Sequence, residues 1–274
     1  MWRVAFGLAR ERPQDEEIRL YEYDGDFYDF LSSFALESAR RVVPRLTTPL
    51  PLRSVVDFGC GQGAWLRAWF EAGADVMGVD GPYVDRRRML IDAANFRAAD
   101  LANPIDLGRR FDLVQSLEVA EHLPAVKAES FVDTLVAHGS LVLFSAALPG
   151  QGGENHVNEQ PLDYWRDIFR SRGYLPVDYL RPLITGDPAI QSWYRYNILL
   201  YVEAGRLGLL PEALRAYVVR DGDALRDYRP LTCRLQQALV RRLPVSTVNR
   251  ISRFRAAVAV RRNAGAARQL TPAP

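Results

Sequence analysis

Short apolar runs alternate with longer amphipathic stretches between residues 50 and 204, and most of the runs close on an acid, a glycine or a polar turn. Runs of this kind read as buried strands, and the stretches between them, with apolar positions three and four apart, read as helices. Strands are expected at 53–58, 74–79, about 95–101, 111–117, 140–145, 174–180 and 195–203. Helices are expected at 62–72, about 83–92, about 127–137 and 161–172. Such an alternation predicts an α/β fold with a doubly wound, mostly parallel sheet. The two closing strands follow one another without the usual alternation, which predicts an antiparallel pair.

Ahead of this core, Phe27, Phe30, Leu31, Phe34, Ala35, Ala39 and Val42 recur at helical spacing, and Pro44, Pro49 and Pro51 are expected to end that helix. Residues 1–50 therefore read as a helical cap, 51–204 as the central domain and 205–274 as an extension. The stretch from Tyr21 to Tyr28 is dense in aromatics and acids. Packing onto the core is its plainer role, and a flap over a ligand, with Tyr23 and Tyr28 touching it, is the sharper one. Past Ala204, helices are expected at 211–220, 231–243 and 248–262, followed by a disordered end rich in Ala, Arg and Pro.

With 274 residues and 48% hydrophobic content, the chain is long enough to bury a full core. No apolar run reaches the length of a bilayer, and the apolar stretch within residues 1–10 is too short for a signal peptide, so the expected location is the cytoplasm. Two cysteines far apart, Cys60 and Cys233, predict neither a disulfide nor a metal site. The net charge of +2 hides a segregation. From Tyr228 onward there are ten arginines and no acid, which leaves residues 1–227 with a formal −8. A solvated helical arm packing on the core or on a second subunit explains this most simply, so a homodimer is a candidate assembly. Nucleic acid is disfavoured because Tyr228 and Phe254 are the only aromatics there. A peripheral membrane contact stays open, since Leu239, Val240, Leu243 and Val248 alternate with Arg241, Arg242 and Arg250.

The chemistry concentrates at the ends of the expected strands. Asp57-Phe58-Gly59-Cys60-Gly61-Gln62-Gly63 carries a strand through a glycine loop into a helix, and Asp80 closes the next strand. Glycines let the backbone turn and approach a ligand, the helix start offers free N–H groups, and Asp80 can accept from both hydroxyls of a ribose. Gly59-x-Gly61-x-x-Ala64 also fits a dinucleotide fingerprint, so the loop alone does not choose between cofactors. Asp100-Leu101 ends the third strand, where a carboxylate and a backbone N–H could read the amino edge of adenine. Glu118-Val119-Ala120-Glu121-His122-Leu123 follows the fourth.

Taken in this order and spacing, the motifs resemble those of class I S-adenosylmethionine (SAM) dependent methyltransferases. The loop from Pro149 through Gly150-Gln151-Gly152-Gly153 to His156-Val157-Asn158-Glu159-Gln160 is similar to one in a bacterial small-molecule subgroup. The resemblance implies a Rossmann-like sheet with an antiparallel last strand. It also implies SAM as cofactor, held by Asp57, Gly59, Cys60, Gly61, Gly63, Asp80, Gly81, Asp100, Leu101, Glu118, Val119 and His122. A small-molecule oxygen is the expected acceptor, a nitrogen less so. A cofactor-binding scaffold and an RNA or protein methyltransferase are the alternatives.

Methyl transfer to a hydroxyl needs a place for its proton. His156 is the preferred base and His122 the second candidate, both on loops at the carboxyl ends of strands. His138, before the fifth strand, falls at the opposite edge. Gln151, Asn155, His156 and Asn158 on the glycine-rich loop, together with Trp193 and Tyr194, are candidates to touch the acceptor. The plainer role of the loop's polar groups is to hold the loop to itself. No metal is expected, because Glu121, His122, His156 and Glu159 lack the spacing of a metal motif.

Overall fold

The computed structural model describes residues 25–244, 246–252 and 254, with the backbone alone over 25–31. Seven strands make one sheet: β1 (Ser54–Phe58), β2 (Asp75–Asp80), β3 (Phe96–Ala98), β4 (Leu113–Leu117), β5 (Leu141–Ser145), β6 (Tyr174–Val177) and β7 (Leu199–Glu203). Their order is β3-β2-β1-β4-β5-β7-β6. The first five run parallel, and β7 lies antiparallel to both β5 and β6. The expected mostly parallel sheet with an antiparallel last strand is present.

Alternation along the strands explains the two cores. On β1, Val55 faces one side and Val56 the other. The first side packs beneath α1 (Gly25–Thr47), α2 (Ala64–Glu71) and α5 (Leu180–Ile184), through Val42, Leu46, Leu66, Trp69 and Ile184. The second packs beneath α3 (Ala128–Ala137) and α4 (Leu162–Ser171), through Phe131, Leu135, Trp165 and Phe169. Each such fully buried side chain contributes about 1.5–3 kcal/mol of transfer free energy. Among the described residues no helix is long and apolar enough to cross a membrane.

Four expectations about elements change. Pro44 lies inside α1 near its end instead of stopping it; in the last turn the ring removes one backbone hydrogen bond without ending the helix at once. Residues 83–92 form turns and a short 3-10 segment, Arg86–Arg88, not a helix. The Leu90 N–H donates to the Gln62 carbonyl, tying the segment across the glycine loop against its local helical preference. The last strand starts at Leu199, because its pairing with β5 ends at Phe144; Trp193 and Tyr194 belong instead to α6 (Ser192–Asn197). Finally, 211–220 is only the short α7 (Glu212–Arg215), yet Leu210 and Leu214 are buried and Val218 bridges to Val177 on β6. The core therefore continues past Ala204. Farther on, α8 (Leu231–Val240) and helical residues 246–252 and 254 make the arm, and residues 253 and 255–274 lie outside the described residues.

Between β1 and β4 the strand order reverses direction. In open parallel sheets the carboxyl ends at such a point enclose a cleft.

Candidate active site

One half of the cleft is built by the glycine loop. On β1, Asp57 pairs in register with Gln115 on β4; Gln115 Nε2 donates to Asp57 Oδ2 at 2.9 Å, and Trp69 Nε1 donates to Gln115 Oε1 at 2.9 Å. Asp57 Oδ1 is buried with no partner among the described residues. Burial pushes this carboxyl up to about 8, with the Gln115 hydrogen bond opposing and the charge of Asp80 adding. Gly59, at φ 89°, has no room for a Cβ because it would collide with Val119. Gly61, at φ 51°, opens onto free space, which is what a backbone cradle for a ligand requires. Cys60 is buried, and burial with the nearby Asp80 and Asp57 raises its thiol well above the ordinary value, so it is inert as a nucleophile.

Asp80 is also buried and its pKa is raised, by burial first, against hydrogen bonds from Tyr83, Gly61 and Gly81. The Gly61 N–H donates to Oδ2 and the Gly81 N–H to Oδ1, each at 2.7 Å. The Tyr83 hydroxyl donates to Oδ1 as well. This contact was missed in the sequence, where 83–92 read as a helix. A carboxylate offers about four acceptor positions, so one remains and the Tyr83 hydroxyl holds another. Asp100 is exposed, and its oxygens accept from the Ala102 N–H at 3.0 Å and Asn103 Nδ2 at 2.7 Å, closing its own turn, while Leu101 is buried.

The other half belongs to the loops after β4 and β5. Glu118 stands at φ 58°, a left-handed conformation rare outside glycine and asparagine, which turns its carboxylate toward the next loop. Oε2 accepts from Gln151 Nε2 at 2.7 Å and Oε1 from Asn197 Nδ2 at 3.2 Å; Asn197 Nδ2 also donates to Gln151 Oε1 at 2.8 Å. Three segments far apart in sequence thus meet in one polar triangle. Burial raises the Glu118 pKa despite these bonds.

His156 lies beside His122, with ring centroids 4.9 Å apart at 86°. Its Nδ1 is 2.9 Å from Glu159 Oε1. Glu159 is held further by the N–H groups of Gly152 at 2.9 Å and Gly150 at 2.7 Å. Burial opposes ionisation of Glu159, but the His156 ring and these N–H groups prevail and its pKa lies below the ordinary value. His122 keeps an exposed edge, yet desolvation within the site and the neighbouring His156 bring it down to about 4, against a contact with the Asn155 backbone. Glu121 is fully buried with neither carboxylate oxygen partnered among the described residues, and burial and Glu118 push its pKa well up. Glu121, His122 and His156 each bring a ligand atom within 4.8 Å of the others. Two imidazoles and a carboxylate are a donor set that suits a divalent cation.

The glycines of this loop fit close packing. A Cβ on Gly150 would meet the Gln237 carbonyl on α8, and one on Gly153 would meet the His156 ring. Asn155 is exposed and takes φ 58°, and Asn158 is buried, its Oδ1 accepting from Gln160 Nε2 at 3.0 Å. Tyr194 is a core residue, edge-on to Trp65 at 5.0 Å, whereas Trp193 is half-buried beside it. Tyr23 and the side chain of Tyr28 lie outside the described residues. His138 is buried at the far edge of the sheet, where its Nε2 accepts from the Leu107 N–H at 3.0 Å.

Comparison with known proteins gives a consistent family. The profile of a methyltransferase domain matches residues 28–177. A ubiquinone biosynthesis O-methyltransferase of Methylobacterium nodulans is 33% identical over 100 residues, covering 34% of this chain and 39% of that protein. One from Azorhizobium caulinodans is 34% identical over 91 residues, covering 30% and 35%. The match thus spans little more than a third of these relatives. Among solved structures, an O-methyltransferase family protein from Burkholderia thailandensis aligns with TM-score 0.52 at 16% identity, over 65% of this chain and 58% of that one. A sugar N-methyltransferase from Streptoalloteichus aligns with TM-score 0.53 at 18% identity, over 72% and 99%. At these identities the structural likeness speaks for the fold.

Proposed function

The chain belongs to the methyltransferase-domain family, in the class I SAM-dependent group, and from that premise we propose that it methylates an oxygen of a small molecule, such as a natural product or a sugar. The observation that carries the oxygen reading is the His156–Glu159 pair. Donation from Nδ1 to an ionised Glu159 keeps the ring proton on that nitrogen and leaves a lone pair on Nε2. A hydroxyl acceptor can then lose its proton to Nε2 while its oxygen attacks. A neutral amine would need no such base before transfer. The relatives named as O-methyltransferases point the same way.

SAM supplies a methyl group made electrophilic by its positive sulfur. The residues present fit it: an open glycine cradle at Gly61, an unpartnered buried oxygen on Asp57, and Asp80 at the end of β2. In this reading Asp57, Gly59, Cys60, Gly61 and Gly63 line its amino-acid end, Asp80 and Gly81 take the ribose, and Asp100 with Leu101 meets the adenine. Glu118, Val119 and His122 border the reacting end. Gln151, Asn155, Asn158 and Trp193 orient the acceptor, because holding it in line with the methyl is most of the catalytic task. The test is formation of S-adenosylhomocysteine with hydroxylated acceptors, and its loss in His156→Ala.

Glu121 supports a second reading. A buried carboxyl without a partner, beside His122 and His156, suits a divalent cation that would bind and polarise a chelating acceptor. Loss of turnover in EDTA and its return with zinc, iron(II) or manganese would favour this reading. Unchanged turnover after EDTA would leave the proton with His156.

A further inference from the structure

The C-terminal arm has two unlike faces. α8 turns Cys233, Gln237 and Val240 inward and sets Leu231, Leu235 and Leu239 outward, with 66, 58 and 65% of their surface exposed. Four residues apart on a helix, these leucines form one stripe. Leu243, Ile251 and Phe254 continue the apolar exposure at 40, 39 and 72%. Arg234, Arg241, Arg242 and Arg250 are exposed along the same arm. The sequence from Tyr228 onward holds ten arginines and no acid, against a formal −8 in the rest of the chain.

From the sequence the arm is expected to pack on the core or on a second subunit; its leucine face has no partner among the described residues. Of the occupants it could take, a second copy docked through the same stripe would set one acid-free arginine segment against another, and the two would repel. RNA would engage the arginines and leave the leucines in water. An anionic bilayer uses both, with apolar side chains at the acyl boundary and guanidinium groups among the headgroups. We propose that this arm lies on the surface of an anionic lipid membrane, with Leu231, Leu235 and Leu239 inserted and the arginines on the headgroups.

The inner face of the arm rests on the loop that carries His156. Gly150 packs under Gln237 and Arg241, a Cβ on Gly152 would lie 3.3 Å from Val248 Cγ1, and the Asn155 N–H donates to Asn249 Oδ1 at 3.3 Å. Attachment therefore holds that loop about one helix diameter, roughly 10 Å, from the lipid surface. An acceptor dissolved in the bilayer then has a short path to the cleft. Attachment itself does not depend on which acceptor the cleft takes.

The experiment is co-sedimentation of the full chain with vesicles at physiological salt. Vesicles containing phosphatidylglycerol should retain the wild type, and vesicles of phosphatidylcholine alone should not. L235D/L239D should bind the anionic vesicles at least tenfold more weakly while keeping wild-type thermal unfolding and SAM affinity, since both side chains are exposed. R242E/R250E should do the same, since both side chains are exposed, and serves if the first variant misfolds. No retention of the wild type on anionic vesicles would overturn the proposal. So would L235D/L239D binding as well as wild type, or a wild-type dimer that this variant dissociates. Salt-sensitive retention on RNA with none on vesicles would transfer the arm to nucleic acid and overturn it equally.

Discussion

Glu159 Oε1 sits 2.9 Å from Nδ1 of His156, and the same carboxylate is fixed from behind by the N–H groups of Gly150 and Gly152. The glycine-rich loop thereby orients its own imidazole. A ring held in this way should keep its direction without help from bound ligands. His156→Ala should lower kcat by about 10²–10⁴, the usual contribution of a general base, and leave SAM affinity unchanged. Glu159→Gln should cost roughly 10- to 100-fold, the range for a group that orients a functional imidazole. A loss confined to the acceptor KM in both variants would make His156 a binding residue.

Asp57 links cofactor binding to pH. Its carboxyl is raised from 3.8 to about 8 by burial, so at pH 7 it is mostly protonated until a cation arrives. Because the folded state holds this proton more tightly than the unfolded chain, the group's contribution to stability declines as pH rises from about 4 to about 8. SAM carries a net positive charge and should drive the proton off. Calorimetry at pH 7 in buffers of different ionisation enthalpy should therefore show proton release on binding, and Asp57→Asn should abolish it. Proton uptake, or none, would contradict this account.

Tyr83 donates to the same Asp80 carboxylate that the proposed ribose contacts need. Binding then requires the phenol to yield one acceptor position. Tyr83→Phe should tighten SAM by about 1 kcal/mol, the net worth of an ordinary hydrogen bond and roughly fivefold in Kd. Asp80→Ala should weaken it by about 1.5–3 kcal/mol per charged hydrogen bond lost. Weaker binding in Tyr83→Phe would mean that the phenol contacts the cofactor directly.

Gly150 provides a structural test of how the arm meets the loop. It stands at φ 80°, and a Cβ there would collide with the Gln237 carbonyl, whereas Gly186 has nothing within 4 Å of its Cβ position. Gly150→Ala should destabilise by about 1–3 kcal/mol, seen as a lower Tm, through backbone strain and displacement of α8. Gly186→Ala should leave Tm close to the wild type. Equal effects would show that the arm does not pack as described.

Much of this was legible in the chain. The glycine loop, Asp57 and Asp80 announce themselves because a strand, a tight turn and a helix start each impose local residue choices. The sheet followed from alternation, including the antiparallel end. What stayed hidden depends on contacts between distant segments. The Glu118–Gln151–Asn197 triangle joins the loops after β4 and β5 to the end of α6, and no local pattern marks it. Residues 83–92 read as helical because their composition allows it, but the Leu90–Gln62 backbone bond overrides that local preference. Leu231, Leu235 and Leu239 recur every four residues, yet periodicity cannot say whether such an apolar face turns inward. Glu121 was visible beside His122; its missing partners became apparent only with the fold.

The most direct test is turnover with methyl-labelled SAM and a panel of phenols, sugars and amines, followed by locating the label in the product by NMR. The account predicts an O-methyl product, one S-adenosylhomocysteine per methyl transferred, and turnover that falls with loss of His156. Transfer to nitrogen at normal rates in His156→Ala, or failure to bind SAM at all, would contradict it.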